Sequence, residues 1–209
     1  MSRMVTSKQT DPVYSHNVVE FVAAANEFCK YSEHADELNG DEILKIMQRI
    51  LPFMYLKASL LPSLEPVFED GNEKFVTEAD WNRIHVNISQ KLGIADDFTP
   101  EMSEKLDDSD IPVPVTISEN LADIYQDIKD FLILYQTGTR EVMNDAVWEC
   151  RMNFETLWGP KLLNALSAIH RFVYSGKEIG ENFEKDDSAR ERNTDQWFIS
   201  RRQKDFRGE

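Results

Sequence analysis

The four histidines, His16, His34, His85 and His170, are the side chains best suited to general acid–base or metal chemistry in this sequence. None stands three positions after a glutamate, so the Glu-x-x-His pairs with which helical bundles hold two metal ions are absent. The His-Glu-x-x-His zinc pattern is missing as well. His85 shares a helical face with Trp81, Ile88 and Leu92, and His170 borders an apolar stripe beside Leu163 and Tyr174. Each could act as a ligand or base in a pocket between helices, with an acidic partner brought from elsewhere in the chain. The simpler expectation for both is a boundary histidine hydrogen-bonded to a neighbour.

Other chemistry finds less support. Asp108, Asp110 and Glu119 match the first, third and last acidic positions of a calcium loop, but Pro112 and Val113 stand where an oxygen ligand and a glycine are needed. Cys29 and Cys150 lie inside apolar helical patterns and lack a Cys-x-x-Cys partner, which predicts reduced core thiols rather than a nucleophile or a zinc site. No glycine-rich phosphate loop, nucleophile elbow or Cys–His signature is present. The expectation is therefore no catalytic residue, no cofactor and no metal.

The elements that would position these residues are helical throughout. Asp11-Pro12 opens a first helix with Tyr14, Val18, Val22, Ala25 and Cys29 at helical spacing. A second opens at Asp41 and runs through Ile43, Met47, Ile50 and Met54, with Leu44 and Leu51 beside the stripe and Pro52 predicting a kink or a break. Residues 62–76 read as a loop. Thr77 with Asp80 starts a third helix, with Trp81, Ile84, Ile88 and Leu92 on one face and a stop at Gly93. Residues 94–116 are acidic and irregular, with room for a two-turn helix after Thr99-Pro100. Thr116 with Glu119 starts the cleanest stripe of the chain: Ile117, Leu121, Ile124, Ile128, Phe131 and Tyr135. The Asp123, Asp127, Asp130 row opposite it reads as a solvated face.

Gly138 and Thr139 make a joint so short that the flanking helices must be antiparallel. The next stripe is Met143, Val147, Cys150, Phe154 and Leu157, interrupted by Gly159-Pro160 and continued by Leu162, Leu166, Ile169 and Val173. No strand-like alternation competes, and no repeat of fixed period is visible. The predicted fold is an all-α antiparallel bundle of about six helices over residues 1–175. A charged C-terminal tail follows over 176–209.

Composition narrows the partners. Lys and Arg number 23 against 38 Asp and Glu, a net charge of −15, and no concentrated basic face is evident in the sequence to attract nucleic acid. The N-terminus is polar, and the longest apolar runs, such as 131–135, reach five residues, where a membrane span needs roughly 20. These features predict a cytoplasmic chain without a membrane segment.

At Trp148 to His170 the residues read Trp-Glu-Cys-Arg-Met-Asn-Phe-Glu-Thr-Leu-Trp-Gly-Pro-Lys-Leu-Leu-Asn-Ala-Leu-Ser-Ala-Ile-His. The arrangement of Trp148, Phe154, Trp158-Gly159 and Ala165-Leu166-x-x-Ile169-His170 resembles a bacterial family of helical proteins of about this length. The family is common in gut Bacteroidetes and is described as a domain of unknown function. Pro160 stands where that pattern would carry a polar residue. The resemblance implies a bacterial cytoplasmic origin and an α-helical fold, and it carries over no catalytic residue.

Two features exceed the needs of one core. On the 139–158 helix, Trp148 and Met152 project from nearly the opposite side to Val147, Cys150 and Phe154, which makes this helix either central in the bundle or open to a partner. In the tail, Trp197-Phe198-Ile199 followed by Arg201-Arg202 either folds against its own bundle or anchors another chain. The function expected is non-enzymatic protein–protein interaction or self-association, with Trp148, Met152, Trp197, Phe198 and Ile199 as the contact residues. The alternative is a small-molecule or metal-binding helical enzyme with a site between helices.

Overall fold

The computed structural model describes residues 11–69, 71–98, 115–176 and 179. The chain divides into two units, Met1–Lys177 and Glu178–Glu209, and every helix and strand described belongs to the first. Six α-helices form it: α1 (His16–Glu33), α2 (Gly40–Ala58), α3 (Glu78–Leu92), α4 (Ile117–Gln136), α5 (Arg140–Asn153) and α6 (Gly159–Val173). The all-α bundle expected from periodicity is the fold observed. A two-residue antiparallel ladder, β1 (Asp97–Phe98) with β2 (Val115–Thr116), is the exception that side-chain alternation was too short to show.

The helix starts follow their capping chemistry. Thr77 and Asp80 form a reciprocal box at α3, and Asn39 with Glu42 forms a second at α2, which begins at Gly40, one residue before Asp41. Thr116 caps α4 by accepting the Glu119 N–H at 3.0 Å. The buried Asp96 carboxylate adds a second anchor there, accepting the Ser118 N–H at 2.7 Å and its hydroxyl at 2.5 Å. Asp11-Pro12 opens a 3-10 turn, Pro12–Tyr14, and α1 proper begins at His16. Tyr14 is consequently exposed, and Phe21 and Phe28 fill the core in its place.

The central helix is α4, not α5. Its expected stripe is buried from Ile117 to Phe131, with Tyr135 half-buried, and Ala122, Tyr125, Asp130, Leu132 and Leu134 are buried around the rest of its circumference. It packs on α1, α3, α5 and α6. Lys57 bonded to Glu20 and Asn17 bonded to the Leu60 carbonyl set α1 antiparallel to α2. Gly138, at φ +72°, makes the left-handed stop between α4 and α5.

Neither of the two helical prolines, at which a kink or a break stood open, ends the helical path. Pro52 sits inside α2, which runs through it. The ring is exposed, so the helix bond lost at the Gln48 carbonyl lies on the outer side of α2 rather than in the core. Between α5 and α6 the chain stays helical through a π-turn, Phe154–Trp158, so that residues 140–173 form one rod. The extra residue of that turn rotates everything beyond it. Leu157, expected in the stripe, is 51% exposed, and Trp158 is fully buried in its place, with its indole N–H on the Cys150 carbonyl at 3.1 Å. Gly159 is required here, because a Cβ would lie 2.1 Å from the Phe154 carbonyl oxygen.

Candidate docking face between α2 and α6

Helix α2 carries two apolar sides. Ile43, Leu44, Met47, Leu51, Met54 and Ala58 are buried, whereas Phe53, Leu56 and, just past the helix end, Leu60 remain about half exposed on the opposite side. Tyr55 meets the Phe154 ring edge-on at 5.1 Å, and the Arg151 guanidinium bonds the Leu61 carbonyl at 2.6 Å. Because numbers rise along α6 as they fall along α2, the two helices are antiparallel.

A groove of about 860 Å³ runs between them. Its apolar lining is Pro52 from α2 and Leu163 and Leu166 from α6, and its polar lining includes Gln48 and Ser167. At the far end stand Arg49, His170, Arg171 and Tyr174, with the His170 and Tyr174 rings 4.7 Å apart. Among the described residues no carboxylate lines it. Lys45, also exposed, extends the basic row by one turn, and the next acidic residue on that row is Asp41.

The acidic residues are instead spent on the fold. The row Asp123, Asp127, Asp130, expected to be solvated, faces neighbouring elements. Asp123 accepts the Trp81 indole N–H at 2.8 Å and pairs with Lys161. Asp130, 3% exposed, accepts the backbone N–H groups of Phe75 and Val76 at 2.8 and 2.9 Å. Asp145 on α5, also 3% exposed, grips the N–H groups of Val67 and Phe68 at 2.7 and 2.8 Å. Asn72 adds bonds to the Asp145 carbonyl and Glu149, and Lys74 pairs with Glu149. The loop between α2 and α3 is thus strapped to α4 and α5. Burial pushes the Asp127 carboxyl up, against the hydrogen bond it accepts from Asn153 at 2.8 Å.

His16 and His34 each meet a polar neighbour, whereas the contacts described for His85 and His170 are with aromatic rings. His16 pairs with Glu20 at 3.1 Å, and His34 places Nδ1 2.9 Å from the Lys30 carbonyl, where that nitrogen must donate. His85 stacks on Trp81 at 5.0 Å on α3, whereas His170 lines the α2–α6 groove, so the structure does not bring the two into one site. Among the described residues, no group of three His, Cys, Asp or Glu side chains is placed to hold a metal. Cys29 and Cys150 are buried free thiols, and burial pushes both far above the ordinary thiol range. Asp108, Asp110, Pro112, Val113 and the turn after Thr99-Pro100 lie outside the described residues.

Of the residues expected to make contacts, Met152 is exposed and Trp148 half-buried, both on α5, which is not the central helix. Trp197, Phe198 and Ile199 lie outside the described residues. Phe53, Leu56 and Leu163 were missed. Their signal was in the sequence: Arg49, Phe53, Leu56 and Leu60 repeat at three- and four-residue steps opposite the buried stripe of α2.

No helix described is long and apolar enough to cross a membrane. No curated protein matches the chain. A solved structure, protein BF1032 from Bacteroides fragilis, is similar at 38% identity and a TM-score of 0.71, over 79% of this chain and 98% of that one. A family model described as "Domain of unknown function (DUF5063)" matches residues 12–175, which includes the Trp148–His170 stretch that carried the resemblance. The chain belongs to the DUF5063 family.

Proposed function

We propose that this protein is a non-enzymatic helical docking module and that the α2–α6 face is where it engages another polypeptide. One observation carries the reading: Phe53, Leu56 and Leu60 stay exposed on the outer side of α2, beside a groove that Leu163, also exposed, lines from α6. Monomeric surfaces rarely keep apolar side chains together without a use for them. Residues 1–175 are the docking body in this proposal. The 176–209 segment contributes a second contact through Trp197-Phe198-Ile199, and Trp148 with Met152 marks a flanking surface on α5.

The test replaces exposed leucines by charge. Leu56→Glu combined with Leu163→Glu leaves the melting temperature within a few degrees of the parent and abolishes any stoichiometric partner or self-assembly seen with the parent chain. Assembly that survives both substitutions contradicts the reading. Trp197→Ala, or a chain ending at Gly176, weakens the same assembly without unfolding the body. Identical behaviour with and without the segment removes it from the proposal.

A further inference from the structure

The loop between α2 and α3 presents a second surface, apart from the α2–α6 face: we infer that residues 65–75 dock a basic segment of another protein that carries an apolar stripe. The loop backbone is clamped from below. Asp145 accepts the N–H groups of Val67 and Phe68, and Asp130 accepts those of Phe75 and Val76, from carboxylates that are themselves buried. The two carboxylates stand nearly level across the antiparallel α4–α5 pair, so the clamps lie side by side, one helix-to-helix spacing of about 8–10 Å apart. The residues so fixed nevertheless keep Val67, Phe68 and Phe75 exposed. A clamped backbone removes much of the ordering cost that a free loop meets on binding, and aromatic rings held in place make efficient anchors.

Charge selects the partner. Between residues 62 and 76 stand Glu65, Glu69, Asp70 and Glu73 against one basic residue, Lys74, whose ammonium Glu149 holds at 2.8 Å. Glu65, Glu69 and Glu73 are exposed and interleave with the three apolar side chains. An excess of three negative charges in 15 positions is denser than the −15 carried by all 209 residues, so the loop stands out even from an acidic chain. Lysines or arginines beside an apolar stripe complement both features. The same carboxylates repel nucleic acid and anionic lipid surfaces, and a second copy of this chain brings a net charge of −15 to the contact.

The probe is a labelled peptide of about 14 residues, with leucines at i, i+3, i+4 and i+7 and lysines on both flanks. One counterpart has glutamate at every lysine, and another has serine at every leucine. With the full chain, anisotropy shows saturable binding of the lysine–leucine peptide that falls as salt is raised. Either counterpart binds at least about tenfold more weakly. Phe68→Ser weakens binding by at least about tenfold. Reversing the loop with Glu65→Lys, Glu69→Lys and Glu73→Lys abolishes it and transfers the preference to the glutamate peptide. The same reversal at Glu27, Asp36 and Glu37, exposed on other elements, changes it by less than about threefold. Asp145→Asn leaves every contacting side chain in place and still weakens binding, because the partner must then order the loop.

No binding of the lysine–leucine peptide, equal binding of the glutamate peptide, indifference to Phe68→Ser, or equal effects of the two triple reversals overturns the inference. So does binding that appears only with a chain ending at Gly176, since the occupant is then the protein's own C-terminal segment. The α2–α6 face is tested separately: Leu56→Glu with Leu163→Glu leaves peptide binding unchanged, and a loss with that pair assigns the peptide to the groove and overturns the loop.

Discussion

At the scale of single residues, the buried carboxylates of this protein are architectural. Asp130 and Asp145 each accept a pair of backbone N–H groups from the α2–α3 loop. Asp145→Ala strands the Val67 and Phe68 donors. Urea denaturation should show a loss of about 2–4 kcal/mol, with new proteolytic cleavage between residues 61 and 76. Asp127 works in the other direction. Its burial raises the folded-state carboxyl above the ordinary 3.8, so the folded protein binds the extra proton and loses stability as pH rises through that window. Asp127→Asn keeps an acceptor for Asn153 and removes the buried charge. Thermal melts should show the variant more stable than the parent at pH 7, with the advantage disappearing below pH 3.8. A constant difference at all pH values contradicts this account. None of these roles was readable in advance. An Asp opposite an apolar stripe looks solvated until the loop that covers it is known.

At the scale of elements, local signals predicted most of the structure. Caps at Thr77 and Thr116 and the stop at Gly138 lie where capping chemistry required them. The register across Phe154–Trp158 was not legible, because period counting assumes 3.6 residues per turn and the π-turn adds one, whereas Leu162 and Ile169 are buried as the resumed stripe predicts. That shift makes a sharp contrast. Trp158→Ala should cost about 3–5 kcal/mol and Leu157→Ala less than about 1 kcal/mol in denaturant titrations. A straight α-helix would give the opposite ranking. Gly159→Ala drives a methyl into the Phe154 carbonyl, and the same titrations should register a loss of about 1–3 kcal/mol. Pro52 and Pro160 were ambiguous for a related reason. Proline removes a donor, and only the surroundings decide whether the freed carbonyl breaks the helix or meets water.

For the whole molecule, the sequence reading marked surplus apolar surface on the 139–158 helix, where Met152 is exposed, and passed over the second apolar side of α2. Trp148 and Met152 caught attention because aromatic and sulfur side chains are conspicuous, whereas the second stripe of α2 is interrupted by Pro52 and flanked by Lys45 and Arg49. The bundle was legible from periodicity, but which helix sits at the centre depends on what surrounds it. The tetrad of α1, α3, α5 and α6 around α4 leaves α2 with one side to spare. Substituting exposed residues there should change assembly and leave the melting temperature nearly untouched, and the reverse pattern should hold for Ile128 or Trp158 inside the core.

The most direct test of the docking face is site-resolved photo-crosslinking in living cells. A photoreactive amino acid is placed in turn at Leu56, at Leu163 and at Val86, an equally exposed apolar position on α3. The account predicts one defined polypeptide crosslinked from positions 56 and 163 and absent from position 86. Equal crosslinking from all three positions, or from Val86 alone, would contradict it.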